Sequence, residues 1–533
     1  MLRVLVSDKL SEEGLGILRA AQGLEVDYRP GLDAEGLKAA LPGAEALVIR
    51  SGTKVTADAL AAADRLRVIG RAGIGVDNVD LAAASARGVI VMNTPEGNTI
   101  TTAEHAIALL LSLARRVPQA TASLRAGRWE KERFSGKELF GQTLGVVGLG
   151  NIGSIVADRA QGLRMKVVAY DPLVSEERAQ RLGIELVSFD ELLARSDAIS
   201  LHVPLTKDTR GLIGASAFAK VKRGVLIVNA SRGGIVDEAA LLAAIEKGIV
   251  SGAALDVFEK EPPPKDHPLL AREEVIGTPH LGAATSQAQL NVAIAIAEQV
   301  RDYLLSGVVR NAVNLPSVSR EQLERLRPLM GLGEKLGLFQ GQRCSRGIEE
   351  VDVEYSGEVC ELEVQPITLA VLKGLLQPWF GDGVNLVNAP LLAQQRGIRL
   401  IESKSAEPQD FVSLLTVRVR SRDCHSRVSG TLFGRTQPRI VRVDDFLLEA
   451  VPEGATLLIR NRDTPGVIGR VGTTLGDAGV NIARMQLGLS PAGGKALQLL
   501  NVEPAPGRAV LESLAALPGV EEVQLLDLGE KVI

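Results

Sequence analysis

The chain has 533 residues, of which 46% are hydrophobic and 23% charged, with a formal net charge of −4. That length exceeds one domain and points to about three or four; the composition is ordinary for a soluble globular enzyme, and a slight negative charge with no Lys/Arg block leaves no electrostatic footprint for nucleic acid. The N-terminus meets charge at Arg3, too early for a signal peptide, and the longest apolar stretch, Ala106 to Ala114, is too short to span a bilayer, so a cytoplasmic location without membrane partners is expected.

Arg3–Ser7, Leu47–Arg50, Val68–Arg71 and Val89–Met92 read as short strands, with a helix over Ser11–Ala21. Strands alternating with helices imply an α/β fold, a parallel sheet covered on both faces. Ligands bind beyond the carboxyl ends of such strands, which makes Arg50, Ser51, Arg71 and the loop at Gly75 candidates to face a substrate. A long helix is predicted from near Thr101 to Leu113; it carries His105 among apolar residues, where a core or interface role is favoured.

Residues 143–147 read as a strand and 154–163 as an amphipathic helix. Between them lies Gly148-Leu149-Gly150-Asn151-Ile152-Gly153, the context a dinucleotide site requires. Gly148 permits a tight turn, Gly150 lets the backbone approach a pyrophosphate, and Gly153 lets helix pack closely on strand. The pyrophosphate meets the free N–H groups of the helix start. A second strand, 166–170, ends at Asp171, about 20 residues past the second glycine, where a carboxylate accepts from ribose hydroxyls and repels a 2′-phosphate. NAD rather than NADP is the expected cofactor.

Strands and helices alternate to about residue 282. His202 ends one strand and is expected to line the cofactor. Arg232 follows the strand Val225–Asn229; its guanidinium can hold a carboxylate in bidentate fashion and polarise the adjacent carbonyl. His280 follows the strand-like Val275-Ile276 and precedes a helix. A neutral imidazole there can accept a hydroxyl proton, and imidazolium can return it. Glu261 is the carboxylate that would hold the ring and raise its pKa. Alone, Arg232 reads as a surface ion-pair partner and Glu261 as a solvated loop acid; together on one dinucleotide-binding domain they favour an acid–base site. A second long helix is predicted over Thr285–Leu305, closed by Gly307.

Beyond Pro316 an α+β module is the plain reading, with strands at Ile348–Tyr355, Phe411–Val419 and Arg439–Val443 and a helix over Thr368–Leu376. Arg418, Arg420, Arg422 and Arg439 read either as an anion site or as a solvated face. The three cysteines, Cys344, Cys360 and Cys424, show no metal-ligand spacing; free thiols and no metal are expected. Residues 455–533 follow the order βαββαβ of a ferredoxin-like unit.

Over residues 1 to about 316 the chain resembles the D-isomer-specific 2-hydroxyacid dehydrogenases. The resemblance rests on Gly148–Gly153, His202-Val203-Pro204, Asn229-Ala230-Ser231-Arg232-Gly233, Asp256-Val257-Phe258 with Glu261-Pro262, and Pro279-His280. The stretches Arg71–Asp80 and Asn93–Asn98 are similar to the long branch of that family acting on 3-phospho-D-glycerate, and Arg462–Gly469 with Gly479–Ile482 resembles an ACT domain. The resemblance implies a Rossmann-type NAD domain (98–287) inserted in a flavodoxin-like, discontinuous substrate domain (1–97 and 288–316). It also implies an intervening α+β domain of the allosteric substrate-binding type (317–452) and a C-terminal ferredoxin-like ACT domain (453–533).

By the same resemblance Arg232, Glu261 and His280 would be catalytic. Asn151, Ile152, His202, Pro204, Ala230, Ser231, Arg232, Asp256, His280, Gly282 and Ala283 would join Gly148, Gly150, Gly153 and Asp171 around NAD, with Asp256 near the nicotinamide amide. Arg50, Ser51, Arg71, Gly75, Asn98, Lys131 and Arg133 would meet the substrate; Lys131 and Arg133 read equally as solvated cations. The implied activity is NAD-dependent oxidation of 3-phospho-D-glycerate to 3-phosphooxypyruvate, the first step of L-serine biosynthesis, with 2-oxoglutarate reduction as a side activity. A homotetramer is implied, and L-serine would act as effector at Asp463 and Asn481, although Asp463 serves equally as a turn residue capping a helix. Another reading keeps the fold without turnover, as an NAD(H)-sensing binding protein; the intact Arg–Glu–His set argues against it.

Overall fold

The structure is a computed structural model that describes all residues except 317–319, 345–346, 406, 408–409, 423 and 531–533. Five short strands open the chain: β1 (Leu2–Val6), β2 (Leu24–Tyr28), β3 (Ala46–Ile49), β4 (Val68–Arg71) and β5 (Ile90–Met92). Buried on both faces except for the edge strand β2, they pair in parallel in the order β2-β1-β3-β4-β5, the flavodoxin-like winding. One face is covered by the helix Ser286–Ser306, which returns from the second lobe and packs Val292, Ala293, Ile296, Ala297 and Val300 into the core. Gly70 makes room for it, since a Cβ there would lie 2.7 Å from Val300 Cγ2.

The second lobe holds seven parallel strands: β6 (Thr143–Val147), β7 (Lys166–Tyr170), β8 (Glu185–Leu186), β9 (Ala198–Leu201), β10 (Val225–Asn229), β11 (Val250–Leu255) and β12 (Val275–Gly277). Their order, β12-β11-β10-β9-β6-β7-β8, is the Rossmann winding extended by one strand. The switch point lies between β6 and β9, where the Gly148 loop and His202 sit together. The helix after β6 spans Asn151–Gly162, starting three residues before the predicted 154. Gly150 is its extended N-cap (φ −74°, ψ −157°), so Asn151 and Ile152 already belong to the first turn; glycines count as loop in a periodicity reading. The first crossing helix spans Thr99–Arg115. No described helix is long and apolar enough to cross a membrane.

The boundary expected after 316 adjoins residues 317–319, which lie outside the described set. Next comes a helix that periodicity did not reveal, Arg320–Arg343. Its Pro328 and its glycines at 333, 337 and 341 mask it in sequence. Those glycines form the face on which the helix Gln365–Phe380 lies: a Cβ on Gly337 would stand 2.1 Å from Val371 O, and one on Gly374 2.0 Å from Glu334 O. Gly337→Val is expected to lower the stability of this module by about 1–3 kcal/mol through overpacking. A thermal melt of the full chain checks it, and an unchanged transition would contradict the close pairing.

Six strands complete the module: β13 (Ile348–Gly357), β14 (Arg399–Ser405), β15 (Ser413–Ser421), β16 (His425–Phe433), β17 (Gln437–Val443) and β18 (Phe446–Ala450). The order is β14-β13-β15-β16-β17-β18, antiparallel except for β13 with β14. Arg418 pairs with Asp352 and Glu354, and Arg420 with Glu350, across β13 and β15. Arg418 and Arg420 are thus matched by acids on the neighbouring strand, whereas Arg439 lies over the ring of Phe433. Cys344 and Cys424 are joined as a disulfide with Cα atoms 5.7 Å apart, which corrects the expectation of three free thiols; Cys360 is free. The residues are 80 apart in sequence, and spacing alone could not reveal their approach.

The last unit is β19 (Ala455–Arg462), β20 (Asn481–Leu489), β21 (Lys495–Glu503) and β22 (Val520–Asp527), ordered β20-β21-β19-β22, with the helices Val467–Asp477 and Arg508–Ala515 on one face. This is the ferredoxin-like βαββαβ unit. Its other face is not solvated: Leu458, Leu497, Leu499 and Leu526 share one core with Leu332, Leu336 and Phe339 of the helix Arg320–Arg343. At the rim Arg343 and Arg460 converge on Asp444.

Candidate active site

The glycine loop is built as its residues demand. Gly148 takes φ +90° and approaches β9 so closely that a Cβ would lie 2.5 Å from His202 O. A Cβ on Gly153 would stand 1.9 Å from Gly148 O. Gly150 has open space where its side chain would be, at the start of a helix with no side-chain cap. That combination of free N–H groups and an open cradle fits a dinucleotide pyrophosphate. Asp171 closes the loop, with Oδ2 accepting from Leu149 N–H at 2.8 Å and Oδ1 from Leu173 N–H at 2.9 Å. Beside it, His202 Nε2 meets Ser200 Oγ at 2.8 Å. Burial pushes the imidazole down to about 4, so it is neutral, and its Nδ1 is buried without a partner. Pro204 follows, exposed.

At the end of β10, Asn229 Oδ1 accepts from the N–H and hydroxyl of Ser231, and its Nδ2 donates to Arg232 O at 2.9 Å. This tight turn after buried Ala230 lifts Arg232 out of the sheet. Gly233 lies against the next loop, where a Cβ would be 1.9 Å from Phe258 O. That loop brings Glu261, and the loop after β12 brings His280.

Glu261 Oε2 lies 2.7 Å from His280 Nδ1, and Glu261 Oε1 accepts from Phe258 N–H at 3.2 Å. The hydrogen bond to Glu261 lifts the imidazole above its ordinary pKa; burial and the nearby Arg232 oppose this, while the charges of Glu261 and Asp256 add to it. Burial pushes Glu261 up, but its bond to His280 wins and holds the carboxyl below the usual range. His280 adopts φ +54°, an unusual conformation for a residue with a side chain. Its N–H donates to Asp256 O at 3.0 Å.

Asp256 is 1% exposed, and its carboxylate accepts from Thr278 Oγ1 (2.6 Å), Leu281 N–H (2.7 Å) and Gly282 N–H (2.8 Å). His105 Nε2 completes the set at 3.1 Å. Asp256 thus fixes the turn that carries His280, with Gly282 held on Thr102 and Ala283 following. Sequence reasoning gave His105 a packing role. Its link to Asp256 spans two elements far apart in sequence, and no local signal marks it.

The first lobe contributes the cations. Asp8 Oδ2 accepts from Arg50 N–H at 2.6 Å and Thr53 N–H at 3.1 Å, holding the loop with exposed Ser51. Arg71 is pushed down to about 10, mainly by burial and then by the charges of Arg232 and Arg50. The three arginines stand at or just after the ends of β3, β4 and β10, and the charges of Arg50 and Arg232 both act on Arg71. Arg232 Nε donates to Asp77 Oδ2 at 2.8 Å across the lobes, over Gly75. Asn98 is buried at the start of the crossing helix, and its Oδ1 has no partner. Asp8 and Asp77 were missed because an isolated loop acid carries no pattern.

Two sets of expected residues are not brought together within one chain. Lys131 and Arg133 form a short 3-10 turn, and Arg133 pairs with Glu130 and Glu273. Glu273 precedes β12 and His280 follows it, so this pair sits at the opposite end of that strand from His280. Asp463 N–H donates to Gly494 O at one end of β21, while Asn481 pairs with Glu503 at the other. Antiparallel pairing thus separates the two effector candidates by the length of a strand.

With this geometry in hand, the comparisons define the class. Residues 107–282 match the NAD binding domain of the D-isomer specific 2-hydroxyacid dehydrogenases. Residues 325–444 match the D-3-phosphoglycerate dehydrogenase intervening domain, and 455–519 the ACT domain. A D-3-phosphoglycerate dehydrogenase of Archaeoglobus fulgidus is 47% identical over 529 residues, covering 99% of this chain and 100% of that one. One from Methanocaldococcus jannaschii is 43% identical with the same coverage. A D-lactate dehydrogenase of Aquifex aeolicus, solved with NAD and lactic acid, is 30% identical with a TM-score of 0.53, over 59% of this chain and 100% of that one. The chain belongs to the D-3-phosphoglycerate dehydrogenase family, in a long form with intervening and ACT domains.

Proposed function

We propose that the chain oxidises 3-phospho-D-glycerate to 3-phosphooxypyruvate with NAD, the first step of L-serine biosynthesis. The observation that carries this reading is the His280–Glu261 pair, with Arg232 close enough for its charge to act on both His280 and Arg71. Glu261 engages Nδ1 and leaves Nε2 as the atom that takes the substrate hydroxyl proton. Arg232 holds the carboxylate through its Nη edge, and the remaining cations meet the phosphate. NAD, when bound, supplies the acceptor for the hydride leaving the same carbon. The residues that would hold it are the Gly148–Gly153 loop, Asp171 and the ends of β9 to β12, including Pro204, Ala230, Ser231, Gly282 and Ala283.

This reading divides the chain into a substrate domain (1–97 with 288–316), a cofactor domain (98–287), an intervening domain (317–452) and an ACT domain (453–533). It places the enzyme in the cytoplasm as a homotetramer. L-Serine would act at an ACT site shared by two copies, which the separation of Asp463 from Asn481 within one chain supports. The test follows NADH oxidation by the purified chain with 3-phosphooxypyruvate, with and without L-serine, and with 2-oxoglutarate as a second acceptor. Rapid turnover suppressed by serine is expected. Absent turnover with 3-phosphooxypyruvate would overturn the assignment, and turnover indifferent to serine would remove the effector.

A further inference from the structure

Arg232 belongs to the seven-stranded lobe and Asp77 to the five-stranded one, yet Asp77 Oδ2 lies 2.8 Å from Arg232 Nε. The contact is built rather than incidental. Gly75 leaves the space the guanidinium fills: a Cβ there would be 1.8 Å from Arg232 Nη2 and 2.8 Å from Asp77 Oδ2. Arg232 Nη1 donates to Ser231 O at 2.7 Å, so the head is gripped at two corners. Its neighbours are cations. Arg71 is half-buried, its buried Nε has no partner, and its guanidinium lies where a Cβ of Gly73 would be. The charge of Arg232 acts on that of Arg71, like charges repel, and Asp77 holds Arg232 against that repulsion.

We propose that Asp77 is a positioning residue for Arg232. By taking Nε it turns the Nη1–Nη2 edge toward the substrate carboxylate, and it sets that edge from the opposite lobe. The proposal rests on the reading of Arg232 as the carboxylate binder. Asp77 is 68% exposed, and an exposed ion pair contributes little to fold stability. Its loss therefore reads in substrate binding and not in the melting temperature. Asn in its place still offers an oxygen to Nε, whereas Ala offers none.

The experiment compares the full-length wild type with Asp77→Ala and Asp77→Asn. With NADH and 3-phosphooxypyruvate, Asp77→Ala should raise KM by roughly 10- to 100-fold, with the NADH dissociation constant from nicotinamide fluorescence unchanged. Asp77→Asn should recover most of that loss. Hydrogen–deuterium exchange gives a readout independent of substrate: Asp77→Ala should quicken exchange in both loops, 72–80 and 230–236. A KM that is unchanged, or that falls because Asp77 competes with the substrate for Arg232, overturns the proposal. So does unaltered exchange in both loops. A wild type that fails to reduce 3-phosphooxypyruvate would sink the functional reading instead, and the exchange data would still decide whether Asp77 holds Arg232.

Discussion

Replacing His280 with alanine is expected to lower kcat by about 10²- to 10⁴-fold, the usual contribution of a positioned acid–base group, while NADH binding persists. The side chain is half exposed, and the glycine loop follows β6, four strands away from the β12 that precedes His280, so a nicotinamide fluorescence titration should match the wild type. The pH profile carries a sign. Oxidation of the hydroxyl needs neutral imidazole, so its rate rises as pH climbs through the His280 pKa. Reduction of the oxo acid needs imidazolium and declines through the same pKa. Because Glu261 lifts that pKa above the ordinary 6.5, the acid limb of the oxidation profile should lie above pH 6.5. Glu261→Gln removes the charge and should move that limb toward lower pH. Retention of near-full activity in His280→Ala, or a limb that stays put in Glu261→Gln, would contradict the assignment.

Arg232→Gln is expected to reduce kcat/KM by about 10²- to 10⁴-fold. Two charge-assisted hydrogen bonds, each worth about 1.5–3 kcal/mol, are lost together. Arg232→Lys keeps the charge but not the planar fork, and Lys cannot satisfy Asp77, Ser231 O and a carboxylate in the same geometry. It should therefore fall between Gln and the wild type. Steady-state kinetics on both variants checks this. Equal losses for Lys and Gln would assign the whole effect to bidentate geometry, and no loss in either would exclude Arg232 from the site.

Much of this architecture was legible because its cues are local. The Gly148–Gly153 loop, Asp171, Arg232 and His280 each follow a short buried strand, and strand ends are where such sheets gather ligands. The pairing of His280 with Glu261 was also inferred, from the chemistry an imidazole base requires. What escaped was long-range or disguised. The helix Arg320–Arg343 was hidden by glycines that serve a neighbouring helix. The disulfide between Cys344 and Cys424, the tie between His105 and Asp256, and the grip of Asp77 on Arg232 all join residues from separate elements. The positions of Lys131 with Arg133, and of Asp463 with Asn481, required strand direction and register, which composition does not encode.

The shared core beneath the C-terminal sheet sets a limit on how this half of the molecule can come apart. Leu458, Leu499 and Leu526 have no second covering of their own; they are shielded by Leu336 and Phe339 of the long helix. Lifting the last unit away would wet both surfaces at once, at about 25 cal/mol for each Å² of apolar area. The two C-terminal units therefore form a single cooperative block, and binding free energy gained at a ligand site in either one is credited to the folding of both.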